Sequence, residues 1–346
     1  NKSMKSFLDK LKSLQNWFGD WNKDNPTNIY GPVILVGAAG GAVLVVVALV
    51  SLGQPFATDS LQTGPRGIGM SVPEFKRDLA RPDPDIAKLE AMGDMDGDLI
   101  AAMQAWTGIP DLFEDPDSYQ TAVGSLMISM TQNINENWDG HVYANGEVGV
   151  TCFTCHRGQP VPSEIWFDLM PVTERTAGWS ANQNRATSLS QSTSLPSDAL
   201  QTYLVDAEII GVHDLESRAA GVPGQDGYPG IQNAERTYAL MNYFANSLGV
   251  NCVFCHNSRA FYDGAQVTPQ WGPASLGILM VQELNNDYIV PAGALLPEER
   301  LGPRNGDEPK LACKTCHKGY QQPLQGTNVI GDWPQLSSTE EEVQVN

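Results

Sequence analysis

Cys152-Phe-Thr-Cys155-His156, Cys252-Val-Phe-Cys255-His256 and Cys313-Lys-Thr-Cys316-His317 are three copies of one pentapeptide. C-x-x-C-H is the attachment pattern of c-type haem: two thiols add to the haem vinyl groups, and the adjacent imidazole supplies the proximal nitrogen to iron. All six cysteines of the chain fall within these motifs. Zinc sites use such pairs in twos, and three pairs is an odd number. Redox dithiols do not account for a His directly after every second cysteine. The pattern therefore implies three covalently bound c-type haems, with His156, His256 and His317 as proximal ligands.

The rest of the composition suits a haem protein. A chain of 346 residues can hold one large domain or two ordinary ones. Its 41% hydrophobic content allows a packed core, while 33 Gly and 23 Pro point to long irregular connections. The balance of 21 Lys and Arg against 40 Asp and Glu gives a formal charge of -19. That sign excludes nucleic acid as a partner, because phosphate binding needs the opposite one. It would steer a basic soluble protein towards the surface.

In chain order, residues 1–30 carry Phe7, Leu8, Leu11, Leu14, Phe18 and Trp21 at helical spacing with lysines between. This is the pattern of an amphipathic helix suited to a membrane interface. Residues 31–53 are the longest apolar run and contain no charge. As a helix they would rise about 34 Å, enough to cross a hydrocarbon core of roughly 30 Å. The run is too long for the apolar region of a cleaved signal peptide. Lys2, Lys5, Lys10, Lys12 and Lys23 precede it and only Arg66 follows closely, which predicts a cytoplasmic N-terminus and a periplasmic remainder. Gly37 and Gly41 form a G-x-x-x-G pair suited to packing on another membrane helix.

Residues 54–97 read as an extended surface segment, with a Pro82-Asp83-Pro84 turn. A first haem half, 98–170, shows helical patterning from Asp98 to Trp106 and from Ser118 to about Asn133, with Asp115 or Asp117 as cap of the second helix. Residues 171–230 connect the halves, beginning with a Ser-, Thr-, Asn- and Gln-rich stretch. The second half, 231–336, repeats the order: helix from about Ala234 to Ser247, haem motif, helix from about Pro273 to Asn286, haem motif. Residues 337–346 are an acidic tail. The expected fold class is mainly α with long irregular loops, built as two pseudo-repeated helix-haem halves behind a single N-terminal transmembrane helix. Strands should be few.

The distal iron ligands decide between electron transfer and catalysis. Met241 lies eleven residues before Cys252, on a helix leading into that motif. Met127 and Met130 both precede Cys152, and spacing leaves either able to reach the iron. Beyond the three motif imidazoles, the chain has only His141 and His213. His213 reads as a surface residue. For the third haem, His141 and Met280 both remain open.

The chain resembles the membrane-bound multihaem cytochrome c subunit of purple-bacterial photosynthetic reaction centres. The resemblance rests on Leu61-Gln-Thr-Gly-Pro-Arg-Gly67, on Asn135-Glu-Asn-Trp138 leading to Gly149-Val-Thr-Cys-Phe-Thr-Cys-His-Arg-Gly158, on Ser247-Leu-Gly-Val-Asn-Cys-Val-Phe-Cys-His-Asn257, and on Cys313-Lys-Thr-Cys-His-Lys-Gly319. It implies Met127 as distal ligand of the Cys152 haem, Met241 of the Cys252 haem, and His141 of the Cys313 haem, leaving Met130 and Met280 to packing. The family usually has four haems. Here Ile100 stands where the first ligand methionine is expected, and no cysteine occurs near Phe113, so the chain looks like a three-haem member. Trp271 follows Thr268-Pro-Gln270 where relatives often have Arg, which should lower the potential of the Cys252 haem.

The implied role is a non-enzymatic periplasmic relay. It would carry electrons from a soluble carrier, a small c-type cytochrome or a high-potential iron–sulfur protein, to the photo-oxidised bacteriochlorophyll special pair. The implied partners are the reaction-centre membrane subunits, with light-harvesting helices as further candidates. The resemblance sets the Cys252 haem nearest the pair, the Cys313 haem behind it and the Cys152 haem outermost. Two alternatives belong to other classes. A periplasmic multihaem reductase would need an open iron position, and a membrane-anchored quinol dehydrogenase would need a quinone pocket.

Overall fold

A computed structural model of the chain describes residues 2–24, 31–51, 59–62, 71–74, 82–93, 95–143, 147–169, 187–191, 193–211, 231–261, 263–343 and 345. His213, Arg66 and most of the segment between the halves lie outside the described residues. The chain divides into two compact units, Asn1–Asp59 with Pro73–Lys76, and Ser60–Val72 with Arg77–Asn346.

The first unit holds two helices, α1 (Lys2–Asp24) and α2 (Gly31–Ser51). On α1, Leu11, Leu14 and Trp17 are exposed, as are the neighbouring Lys10 and Lys12. Along α2 the described side chains, residues 35–48, are all exposed and uncharged. Among the described residues no helix is both long and apolar enough to cross a membrane. Two four-residue strands, β1 (Asp59–Gln62) and β2 (Ser71–Glu74), come next in the chain.

The second unit is helical. Residues 84–92 depart from the extended reading: α3 (Pro84–Met92) starts with Pro at its first position, and the Asp83 side chain accepts from the Asp85 N–H at 3.0 Å. Asp-Pro is a turn signal, but it is equally an N-cap followed by a residue pre-set for helix. Helix α4 (Leu99–Thr107) is capped by Asp98, whose carboxylate accepts from the Ile100 and Ala101 N–H groups. Leu99, Ala102, Met103 and Trp106 form its buried face, the i, i+3, i+4, i+7 pattern. Helix α5 (Tyr119–Asn137) is capped by Ser118, whose Oγ accepts from Thr121 N–H at 3.1 Å. The expected caps were Asp115 or Asp117; Asp115 instead closes a local turn onto Asp117 N–H. A short α6 (Asp139–Val142) follows, then the motif helix α7 (Cys152–His156) and α8 (Ala199–Leu204).

Among the described residues there follow α9 (Ile231–Leu248), α10 (Trp271–Glu283), a three-residue helical turn at Val290–Ala292, and the motif helix α11 (Cys313–His317). Helix α10 continues into a π-turn, Leu284–Ile289. Two apolar cores result. One gathers Met130, Ile134, Leu200, Tyr203, Leu240, Tyr243, Met280 and Leu284. The other gathers Leu99, Met103, Trp106, Leu112, Phe113 and Phe153 with the C-terminal Leu324, Ile330, Trp333 and Leu336.

The halves share a set of matching backbone contacts. Gly158 N–H donates to Trp106 O at 2.8 Å, and Gly319 N–H to Ser247 O at 2.9 Å. At Gly108, the αL residue ending α4, a Cβ would run into Gly158 O; at Gly249 one would run into Gly319 O. Asn135 and Asn285 each clasp the residue two before a motif cysteine. Val150 N–H donates to Asn135 Oδ1 and Asn135 Nδ2 to Val150 O (2.8 and 2.9 Å), while Leu311 N–H donates to Asn285 Oδ1 and Asn285 Nδ2 to Leu311 O (2.8 and 3.0 Å).

Candidate haem-binding site

The three motifs take two local forms, for a reason visible in their central residues. In Cys152-Phe-Thr-Cys-His and Cys313-Lys-Thr-Cys-His the threonine Oγ1 accepts from the N–H of the residue before the first cysteine, Thr151 and Ala312, at 3.1 Å in both. That cap starts one turn of α-helix, ended by Arg157 and Lys318 at φ 54. In Cys252-Val-Phe-Cys-His a phenylalanine replaces the threonine, and Cys252–Phe254 forms a 3-10 turn instead. Thr268, from beyond the motif, ties that turn down by donating to Cys255 O from its N–H and to Phe254 O from its hydroxyl.

Two of the three motif imidazoles carry the Nδ1 contact that suits a metal ligand, whereas His256 Nδ1 makes no hydrogen bond among the described residues. His156 Nδ1 donates to Gln159 O at 2.8 Å and His317 Nδ1 to Tyr320 O at 3.1 Å. A carbonyl at Nδ1 fixes the tautomer that leaves the Nε2 lone pair for a metal. Burial holds His141, His156, His256 and His317 below the usual imidazole range, His317 at about 4 with the neighbouring His141 adding to the effect. The neutral form, the one that ligates, is therefore favoured. His141 Nδ1 donates to Pro273 O at 2.8 Å, and its ring lies 6.1 Å, centroid to centroid, from that of His317. Two imidazoles joined through one metal at roughly 2 Å per bond have centroids about 6 Å apart. The residues fit a bis-histidine iron.

The methionines separate by burial. Met130 and Met280 are buried at 9% exposure inside the core, whereas Met127 and Met241 are only partly buried at its edge.

The sulfurs are close-set. Cys155 and Cys316 are joined in a disulfide with their Cα atoms 4.5 Å apart, while Cys152, Cys252, Cys255 and Cys313 are free thiols. Burial raises Cys152 and Cys313 to about 12. A disulfide and thioethers exclude one another at the same sulfur, so haem attachment to both motifs draws on the reduced pair. The bond nonetheless puts the α7 and α11 motifs side by side.

Arg157 lies between them. Buried to 5% exposure, it donates from Nε to Thr154 O (2.9 Å) and from Nη2 to Cys316 O (3.2 Å), and pairs through Nη1 with the buried Asp83 at 3.1 Å. Sequence reasoning noted Arg157 only as a motif neighbour and passed over Asp83, Asn135 and Asn285 as site residues. The available signal was polar side chains set on otherwise buried helical faces, where each needs a partner.

Residues 97–337 match the family model described as photosynthetic reaction centre cytochrome C subunit. The chain is 53% identical over 362 residues to the photosynthetic reaction center cytochrome c subunit of Roseobacter denitrificans, covering 94% of this chain and 98% of that protein. It is 40% identical to the protein of the same name from Rubrivivax gelatinosus, over 64% of this chain and 59% of the relative. For the Thermochromatium tepidum protein the identity is 36%, over 67% and 55%.

Proposed function

The chain belongs to the photosynthetic reaction centre cytochrome c subunit family, and on that premise we propose that it relays electrons from a soluble periplasmic donor through three c-type haems to the photo-oxidised special pair. The observation that carries this reading is the adjacency of the motifs. With the Cα atoms of Cys155 and Cys316 at 4.5 Å, groups tethered at α7 and α11 are neighbours, as a relay requires and a solitary catalytic haem does not.

The haems, when bound, supply reversible one-electron iron chemistry. The chain's own residues do the rest. His156, His256 and His317 would hold the irons from the motif side, and Met127, Met241 and His141 would hold them from the other side for the Cys152, Cys252 and Cys313 motifs. Methionine ligation raises a haem potential relative to bis-histidine ligation, so the middle site of the relay, at Cys313, is set apart from its neighbours. Held on both sides by these residues, none of the three irons would keep a position for a substrate, which disfavours the reductase reading. The matched clasps at Asn135 and Asn285, and the matched bonds from Gly158 and Gly319, support an internal duplication that has lost one haem site.

Helix α2 is the proposed membrane anchor. Although its described residues alone make no helix long and apolar enough to cross a membrane, the uncharged run 31–53 that contains it would rise about 34 Å as a helix, and side chains such as Leu35 and Leu44 are exposed and apolar, which suits lipid and not water. The N-terminus is then cytoplasmic and the haem unit periplasmic. The Cys152 motif is the entry end and the Cys252 motif the end facing the special pair.

The test is purification of the complex with its bacteriochlorophyll-bearing subunits, followed by flash spectroscopy. Haem should oxidise after the flash as the special pair is re-reduced, and a pyridine haemochrome assay should count three haems per chain. A complex in which no haem oxidises overturns the proposal.

A further inference from the structure

Helix α10 contains a notch that fits one imidazole. His141 Nδ1 donates to the carbonyl of Pro273 in its first turn at 2.8 Å, and the ring lies over Gly277 one turn further on. A Cβ at Gly277 would sit 2.5 Å from His141 Cε1, 2.9 Å from Nδ1 and 3.0 Å from Nε2. The neighbouring pair interlocks in reverse: a Cβ at Gly140 would come to 3.1 Å from Leu276 Cδ1. Glycine inside a helix costs stability relative to alanine. The ring of His141 is the contact that excludes a Cβ at this position.

We propose that Gly277, together with the Pro273 carbonyl, is a positioning element that holds His141 as distal ligand of the Cys313 haem. The proposal rests on the assignment of His141 to that haem. The carbonyl selects the tautomer with a free Nε2, and the missing side chain sets how near the ring plane comes to the helix. The His317 ring lies 6.1 Å away, centroid to centroid, within the span of two imidazoles that share one metal. A methyl group at 277 must push the ring aside. The tether at Pro273 lets it move only by swinging, which takes Nε2 off the line towards His317.

The test uses the haem-loaded full chain carrying Gly277→Ala, read by redox titration, the low-temperature electron paramagnetic resonance of each iron, and carbon monoxide binding to the reduced protein. The Cys313 haem alone should lose its bis-histidine signature, and carbon monoxide binding should rise from none to about one haem equivalent. The Cys152 and Cys252 haems should be unchanged. Leu276→Ala, which empties the space over Gly140 while leaving Gly277 and the Pro273 carbonyl in place, should leave every signature as it was. An equal change in Leu276→Ala would overturn the proposal, because the seating of the helix would then govern. Loss of haem from either other motif in Gly277→Ala would overturn it as well. His141→Ala separates the two layers of argument. If it perturbs the Cys313 haem while Gly277→Ala does not, the notch fails and the ligand assignment stands. If it leaves that haem untouched, the assignment itself fails.

Discussion

The loops after Gly108 and after Gly249 start from the same backbone device and end in opposite uses. Ile100 and Met241 both stand eight residues before the glycine, and Asp111, Glu114 and Asp115 occupy the positions of Cys252, Cys255 and His256. Phe113 aligns with Phe254. In the Gly249 loop, Phe254 is half-buried and the cysteines flank it. In the Gly108 loop, Phe113 is at φ 74 and 5% exposure, with its ring and Leu112 against Gly124 of α5. A backbone that elsewhere frames a haem motif here tucks an aromatic side chain into the protein, at the cost of a left-handed residue that is not glycine. Where no cysteine pair stands to hold a prosthetic group, side chains supply the apolar volume, because interiors do not tolerate voids.

That comparison can be tested by exchanging its parts. The largest effect is expected for Met241→Ile, which writes the Ile100 side chain into the second half. The potential of the Cys252 haem alone should fall on the order of 0.2 V, within the roughly 0.8 V that axial ligands span, in a spectroelectrochemical titration. An unmoved potential would deny Met241 its role. Next, Phe113→Ala should cost about 3–5 kcal/mol in urea denaturation, as a buried ring leaves a cavity. Phe254→Ala should cost about 1–2 kcal/mol, since less area is buried; equal losses would erase the distinction between the loops. Asn135→Ala and Asn285→Ala should each cost about 2–3 kcal/mol by stranding buried backbone groups, and a clear inequality would argue against equivalent halves. The smallest effect is at the motif caps. Thr154→Val and Thr315→Val should lose about 1 kcal/mol each, whereas removing Thr268 should disturb only the Cys252 turn.

What the sequence made legible follows from the range of the forces involved. The haem motifs were readable because covalent attachment needs fixed letters at fixed spacing. The helices around Trp106, Thr131 and Leu240 were readable from their period, and α5 simply runs four residues beyond the expected Asn133, to Asn137. The cap of α5 was misplaced because several short polar residues stand together, and only the one directly before the first turn, Ser118, reaches its N–H groups. The helix at Pro84 was missed because its start signal is also a turn signal. Arg157 was not legible as a bridge: its partners Asp83 and Cys316 are 74 and 159 residues away, and no local pattern encodes such a meeting. The notch at Gly277 was hidden for the same reason, its occupant coming from the other half.

The C-terminal stretch after α11 carries a consequence for the order of folding. Leu324, Ile330, Trp333 and Leu336 belong to the core built on α4, with Trp333 edge-on to Trp106 at 5.0 Å, and Asn135 Nδ2 donates to Leu336 O across 201 residues. The segment synthesised early thus waits for the last part of the chain to close over it. Its α4 core cannot close before the C-terminal stretch has arrived, and such distant contacts make folding slow and leave apolar surface open meanwhile. The helix that comes early in this unit is thus the one whose packing is finished last.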